Sequence, residues 1–208
     1  LAQRHEALHV LLVDDHSDDG TADVARRIAA AQGASDRLTV IAAPELPAGW
    51  TGKVWAQQQG VSHAIARDAD WIWLTDADIH HAPDVLERLL GTAYARGRDL
   101  VSIMARLRCD TAFERLLIPA FTYFFAMLYS FHRTAADRAR DAGGAGGCVL
   151  VRRTLLERAG GIAAIRDAVI DDCARAVREL AARCTDLAAI IGYPCRSADA
   201  KGRALYNA

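Results

Sequence analysis

Residues Val10–Thr21 read VLLVDDHSDDGT, and the change within them from aliphatic to acidic decides the fold. Val10–Val13 is a short continuous apolar run, the pattern of a strand buried on both faces. It ends in acidic and small residues, Asp14 to Gly20, and helical patterning follows from Thr21 to about Ala31. The alternation then recurs. Leu38–Ala43 (LTVIAA) reads as a second strand, Lys53 to about Arg67 as a helix, and Trp71–Thr75 (WIWLT) as a third strand. Pro83 suits the first turn of a helix running to about Arg96. Leu100–Ala105 reads as a fourth strand, Cys148–Val151 as a short one and Asp167–Ala182 as a further helix. Strands alternating with helices predict an α/β domain, a largely parallel sheet covered by helices. No internal repeat or second domain interrupts the 208 residues.

Composition narrows the partners. Apolar residues make up 52% and charged residues 25%, with a net charge of -1 and no polybasic run, so nothing favours nucleic acid. Five scattered cysteines without a CxxC pair indicate neither a zinc site nor a disulfide framework, and fit reduced thiols in a cytosolic compartment. Leu116–Phe131 (LLIPAFTYFFAMLYSF) is the most apolar stretch. It is shorter than the ~20 residues that span a bilayer, and Pro119 interrupts it. Three placements fit: a helix at a membrane surface, the lining of a greasy acceptor site, or a buried core helix.

In open parallel sheets ligands bind at the carboxyl ends of the strands, and the acidic clusters fall there. Asp14 and Asp15 follow the first strand; Asp76 and Asp78 follow the third. Ser17 or Asp19 can cap the helix that starts near Thr21, but capping does not need Asp14 and Asp15 as well. Those carboxylates can accept from a base imide or from ribose hydroxyls. Asp76-Ala77-Asp78 is a DxD arrangement, two oxygen ligands able to approach one hard cation, Mg²⁺ or Mn²⁺, that bridges to a diphosphate. His80 and His81 are placed to reach the same cation or to face solvent. The Gly143–Gly147 loop (GGAGG) lacks a following Lys-Ser/Thr and leads into a strand, so P-loop and Rossmann readings fail. Cys148 reads as a small buried hydrophobe.

VDDHSDDGT followed by TDAD resembles the family 2 glycosyltransferases, with their VDDxSxDGT strand-loop and downstream DxD. GWTGKVWA at Gly49–Ala56, DADIHHAPD, GGCVLVRR, and Gly160-Gly161-Ile162 leading to Val169–Cys173 resemble the hopene-associated branch. The resemblance covers about Val10 to Leu180. It implies a GT-A-type three-layer α/β sandwich with a mostly parallel central sheet, and an inverting, metal-dependent transferase that moves a sugar from a UDP- or GDP-sugar. The acceptor implied is lipid-like, with a place in hopanoid biosynthesis at the cytoplasmic face of the inner membrane.

The resemblance also assigns residues. Asp14, Asp15 and Ser17 would hold the nucleotide, Lys53 would sit near the diphosphate, Asp76 would contact the nucleotide-sugar, and Asp78 with Asp76 would ligate the cation. Trp50 would pack over its loop or stack on a base or sugar. Asp171 and Asp172 occupy the position of the family's acidic pair, with Asp172 favoured as the base that deprotonates the acceptor hydroxyl. A helix-start acidic pair favoured by the dipole is the other reading of those two. Two departures stand out. Only LAQRHEALH precedes Val10 where the family has another strand, and the sequence after Leu180 leaves the pattern without a QxxRW-like segment. The chain is therefore expected to be a fragment of a single GT-A domain. A nucleotidyltransferase acting on a sugar phosphate, or an inactive nucleotide-sugar-binding fragment, are the alternatives.

Overall fold

The computed structural model describes residues 1–128, 146–166, 190–191 and 195–196. In chain order its elements are β1 (Val10–Asp14), α1 (Thr21–Ala31), β2 (Leu38–Ala42), α2 (Gly52–Ala66), β3 (Trp71–Thr75) and α3 (Val85–Arg96). There follow β4 (Leu100–Ser102), β5 (Ala105–Arg106), α4 (Ala112–Leu128), β6 (Cys148–Arg152), α5 (Arg153–Arg158), β7 (Ile190–Ile191) and β8 (Cys195–Arg196). The expected Asp167–Ala182 helix lies outside the described residues.

The β1–α1–β2 unit is as the sequence predicts: β1 and β2 pair in parallel, Val10 opposite Leu38 and Asp14 opposite Ala42. Their burial differs from expectation. Every residue of β1 is half-buried rather than enclosed on both faces, because among the described residues β2 is the strand it bonds. A second sheet has the order β3–β6–β4–β7. There β6 runs antiparallel to both β3 and β4, while β4 and β7 are parallel, as are the short β5 and β8. The predicted Leu100–Ala105 strand is broken in two: Ile103 still donates to the Cys148 carbonyl at 3.1 Å, but the pairing stops there before β5 restarts.

Strand β6 makes the layering visible. Successive side chains of a strand point to opposite faces, and both faces of β6 are apolar. Val149 and Val151 join Ile72, Leu100, the α2 residues Val54 and Val61, and the α5 residues Leu155 and Leu156 in one buried cluster. Cys148 and Leu150 join Val101 and the α3 residues Val85, Leu86, Leu89 and Ala93 in the other. The sheet is thus sandwiched between α2 and α5 on one face and α3 on the other. Cys148 is fully buried, the inert small hydrophobe that its context predicts.

Pro83 lies two residues before α3 rather than in its first turn, and Asp84 takes the cap position without a side-chain bond. One orphan donor of the helix start is met by a distant side chain instead. The buried Gln3 accepts from the Leu86 N–H at 3.1 Å and donates to the Ala82 carbonyl at 2.7 Å. Helix α4 starts four residues before the apolar stretch and carries Pro119 inside it. It is not the buried core helix that was one option, since Phe113, Leu116, Leu117, Phe121, Tyr123, Phe124 and Met127 are all exposed.

Leu150, 1% exposed at the centre of β6, is the test of this core. Leu150→Ala is expected to lower unfolding free energy by about 2–5 kcal/mol, the usual cost of a buried leucine truncation, read from urea melts at unchanged m-value.

Candidate functional site

Four chain segments converge where β1 and β3 end. The first is the acidic loop after β1. Asp14, the last residue of the strand, accepts from the Ser17 amide at 3.1 Å, which folds the loop back on itself. Asp19 then accepts from both the amide and the hydroxyl of Thr21, at 3.0 and 2.6 Å, and so starts α1. Neither candidate cap takes the cap position, which falls to Gly20 in the left-handed region without a side-chain bond; Asp19 acts from one residue earlier, and its hydrogen bonds, the Thr21 hydroxyl's foremost, hold its carboxyl below the ordinary value. Asp15 is spent on neither task. It is exposed, with the exposed His16 ring 3.4 Å away.

The second segment is the start of α2. A Cβ built on Gly52 would stand 3.1 Å from Asp15 Oδ2, so the Asp15 carboxylate lies directly against the first residue of the helix. The next residue, Lys53, forms an ion pair with Asp76 Oδ1 across the cleft, both side chains half-buried. A 15-residue helix directs partial positive charge at its N-terminus, and the ammonium adds a full one. Trp50, just before, packs on the hydrophobic cluster with its ring edge-on to Trp55 at 5.0 Å. The packing reading of that residue holds.

The end of β3 and the turn into β6 complete the site. The Asp76 amide donates to the Gly147 carbonyl at 3.0 Å. A Cβ on Gly147 would come within 2.8 Å of Ile79 Cδ1 and 3.3 Å of Asp76 Oδ2. Gly147 therefore forms the back wall beside the Asp76 carboxylate, and a side chain there would press first on Ile79 and then on the carboxylate. Asp78, two residues further on, is exposed. Asp15, Lys53 and Asp76 are thus brought together, with Asp14 and Ser17 on the same loop. Asp171 and Asp172 lie outside the described residues.

Among the described residues no three His, Cys, Asp or Glu side chains gather as a metal-ligand group. Two carboxylates, Asp76 and Asp78, could hold a hard cation only if phosphate oxygens and water completed its shell, as they commonly do for Mg²⁺. His81 does not join them. Its Nε2 sits 2.7 Å from the Thr75 hydroxyl, its ring lies 4.6 Å from that of Trp73, and the Trp73 indole N–H donates to Cys148 Sγ at 3.2 Å. The imidazole is part of the scaffold that holds the strand end. Burial, with smaller contributions from His80 and the N-terminal ammonium, lowers its pKa to about 4.

Sequence reasoning did not single out Gly52, Gly147 or Thr75 for these positions. Both glycines stood inside quoted motifs, but only coordinates reveal that each faces a carboxylate.

The low His81 value has a sign. Between its ordinary 6.5 and about 4, the unfolded chain binds a proton that the folded ring refuses, so stability falls as pH drops through that window and is unaffected above it. Allowing for screening of a partly exposed ring, the loss should be about 1–2 kcal/mol. His81→Gln should flatten that part of the stability–pH curve, measured by denaturant titration from pH 7 to 4.

The family model for glycosyl transferase family 2 matches residues 1–160. No curated protein matches the chain. Among solved structures it is similar to glucosyl-3-phosphoglycerate synthase from Mycobacterium tuberculosis in complex with Mn²⁺, UDP-glucose and phosphoglyceric acid. The identity is 19% and the TM-score 0.47, over 87% of this chain and 57% of that one. A structure of the same synthase with UDP gives 18% identity and a TM-score of 0.48, over 93% and 61%. The chain therefore spans about three fifths of the length of these structures.

Proposed function

We propose that this chain, which belongs to glycosyl transferase family 2 and is a glycosyltransferase of GT-A-type α/β fold, moves a sugar from a UDP- or GDP-sugar to a lipid-like acceptor with inversion at the anomeric carbon. One observation carries the donor half of this reading: Asp15, the positive start of α2 with Lys53, and Asp76 against Gly147 meet at the strand ends. Carboxylate acceptors on one side and concentrated positive charge beside them match the two ends of a nucleoside diphosphate. Asp14 and Asp15 would accept from base and ribose, with the Ser17 turn fixing their loop, while Lys53 and the α2 N-terminus would hold the diphosphate.

Asp76 and Asp78 would hold a divalent cation, Mg²⁺ or Mn²⁺, which when bound neutralises charge on the departing diphosphate. The base, Asp172 with Asp171 beside it, is carried by the family resemblance. It takes the acceptor hydroxyl's proton as that oxygen bonds to the anomeric carbon and the bond to the diphosphate oxygen breaks. Nucleoside diphosphate leaves, and no covalent enzyme intermediate is needed. Family membership favours this chemistry over nucleotidyl transfer, which would release pyrophosphate.

The lipid-like acceptor, the hopanoid pathway and a position at the cytoplasmic membrane face rest on the branch motifs and on α4. No helix among the described residues is long and apolar enough to cross a membrane. Even so, α4 presents Phe113 at 76%, Leu116 at 70% and Phe121 at 55% exposure. An apolar surface of that extent marks an interaction site, and a bilayer interface is the surface we assign it.

Two measurements test the two halves. Calorimetric titration of UDP and GDP should show one nucleotide binding in the presence of Mn²⁺, weakened at least about tenfold by Asp78→Ala; binding that ignores both metal and mutation would remove the cation from the reading. In flotation with anionic phospholipid vesicles the chain should rise with the lipid, and Phe121→Glu with Phe124→Glu should keep it in the dense fraction. Flotation unaffected by that pair would exclude α4 as the contact.

A further inference from the structure

We propose that Lys53 is the resident counter-ion of Asp76, and that it makes cation binding depend on the nucleotide: a divalent ion alone meets an occupied carboxylate, and the diphosphate vacates it. The inference rests on the donor-site reading above and adds an order to it.

Three observations lead there. Lys53 pairs with Asp76 through Oδ1, one of the carboxylate's two oxygens. The other oxygen, Oδ2, is backed by Gly147, and the Asp76 amide is tied to the Gly147 carbonyl at 3.0 Å. The end of β3 that carries this carboxylate is thus tied to the turn before β6, with Oδ2 on the Gly147 side and Oδ1 on the ammonium. Lastly, both partners are half-buried, 35% and 32% exposed, where charges act on each other through a lower effective dielectric than in bulk water. An ammonium and a dication at one carboxylate repel each other strongly at such range, so one excludes the other.

A diphosphate reverses the balance. It offers Lys53 an anion of higher charge beside the α2 N-terminus, the place where anions are already favoured. Once the ammonium moves onto phosphate, Asp76 Oδ1 is open, and the same phosphate supplies oxygens for the ion's shell. Each ligand thus strengthens the other, and the coupling must be equal in both directions. The cell's free Mg²⁺ would then not settle on the empty enzyme, and the cation would arrive with the donor.

The test is Mn²⁺ binding to the full chain, followed by the electron paramagnetic resonance of free Mn²⁺, with and without UDP and GDP. For the wild type, Mn²⁺ should bind weakly alone and roughly tenfold or more tightly with the matching nucleotide, within the usual range of such couplings. Lys53→Met should tighten nucleotide-free Mn²⁺ binding by about tenfold and shrink the coupling toward unity. Lys53→Arg, which keeps the charge, should behave as the wild type, and Lys53→Gln repeats the charge removal should the Met variant not fold. Nucleotide-free Mn²⁺ affinity unchanged or weakened in the neutral variants, with coupling intact in the wild type, overturns the counter-ion role and leaves the donor site standing. No nucleotide binding by the wild type in any condition overturns the donor site itself, and this inference with it.

Discussion

The position of β6 between β3 and β4 is the constraint on which the rest depends. Because its direction opposes both neighbours, it enters the sheet at the end where β3 leaves it. The turn before it, at Gly146 and Gly147, is thereby delivered to the carboxyl end of β3. Four residues of β6 fill both core layers, Val149 and Val151 toward α2 and α5, Cys148 and Leu150 toward α3. The packing that stabilises the sandwich and the wall that holds Asp76 are therefore one structural event, and a change that shifted β6 by one residue would exchange its two faces and withdraw the wall together.

Much of this was legible in the sequence because apolar runs were bounded by unambiguous stops. WIWLT is flanked by Asp70 and Asp76, and its strand has the predicted limits; helix α1 likewise begins at Thr21, from whose amide and hydroxyl Asp19 accepts. Periodicity has no such hold on direction. CVLVR reads the same whether it runs with or against its neighbours, so an antiparallel strand inside a largely parallel expectation could not be foreseen. The start of α4 was legible but passed over. Thr111 and Glu114 form a reciprocal capping box, the carboxylate accepting from the Asp110 and Thr111 amides and the Thr111 hydroxyl from the Glu114 amide. The T-x-x-E spacing announces that helix start, ahead of the hydrophobic run that drew attention.

At the site, the acids at strand ends were evident from their positions, and their division of labour was not. Asp14 and Asp19 are largely engaged in shaping their own loop, which leaves Asp15 to face the start of α2. His81, adjacent to the acidic pair in sequence, turns to Thr75 and Trp73, because a mostly apolar ring finds more to pack against there than in the exposed turn that carries Asp78. Which of several neighbouring polar groups folds inward is decided by tertiary packing, and a linear reading holds no record of it.

The latch made by Gln3 has a consequence in time. Its amide bonds to partners 79 and 83 residues further along the chain. At ordinary rates of translation, roughly 5–20 residues per second, those partners emerge about 4–16 seconds after Gln3 does. For that interval the Gln3 amide lacks both of these partners, although Arg37 already reaches the His5 and Leu8 carbonyls, and β6, which completes the layer under α3, follows later still. The Gln3 side chain is thus tied down only once the start of α3 has been made.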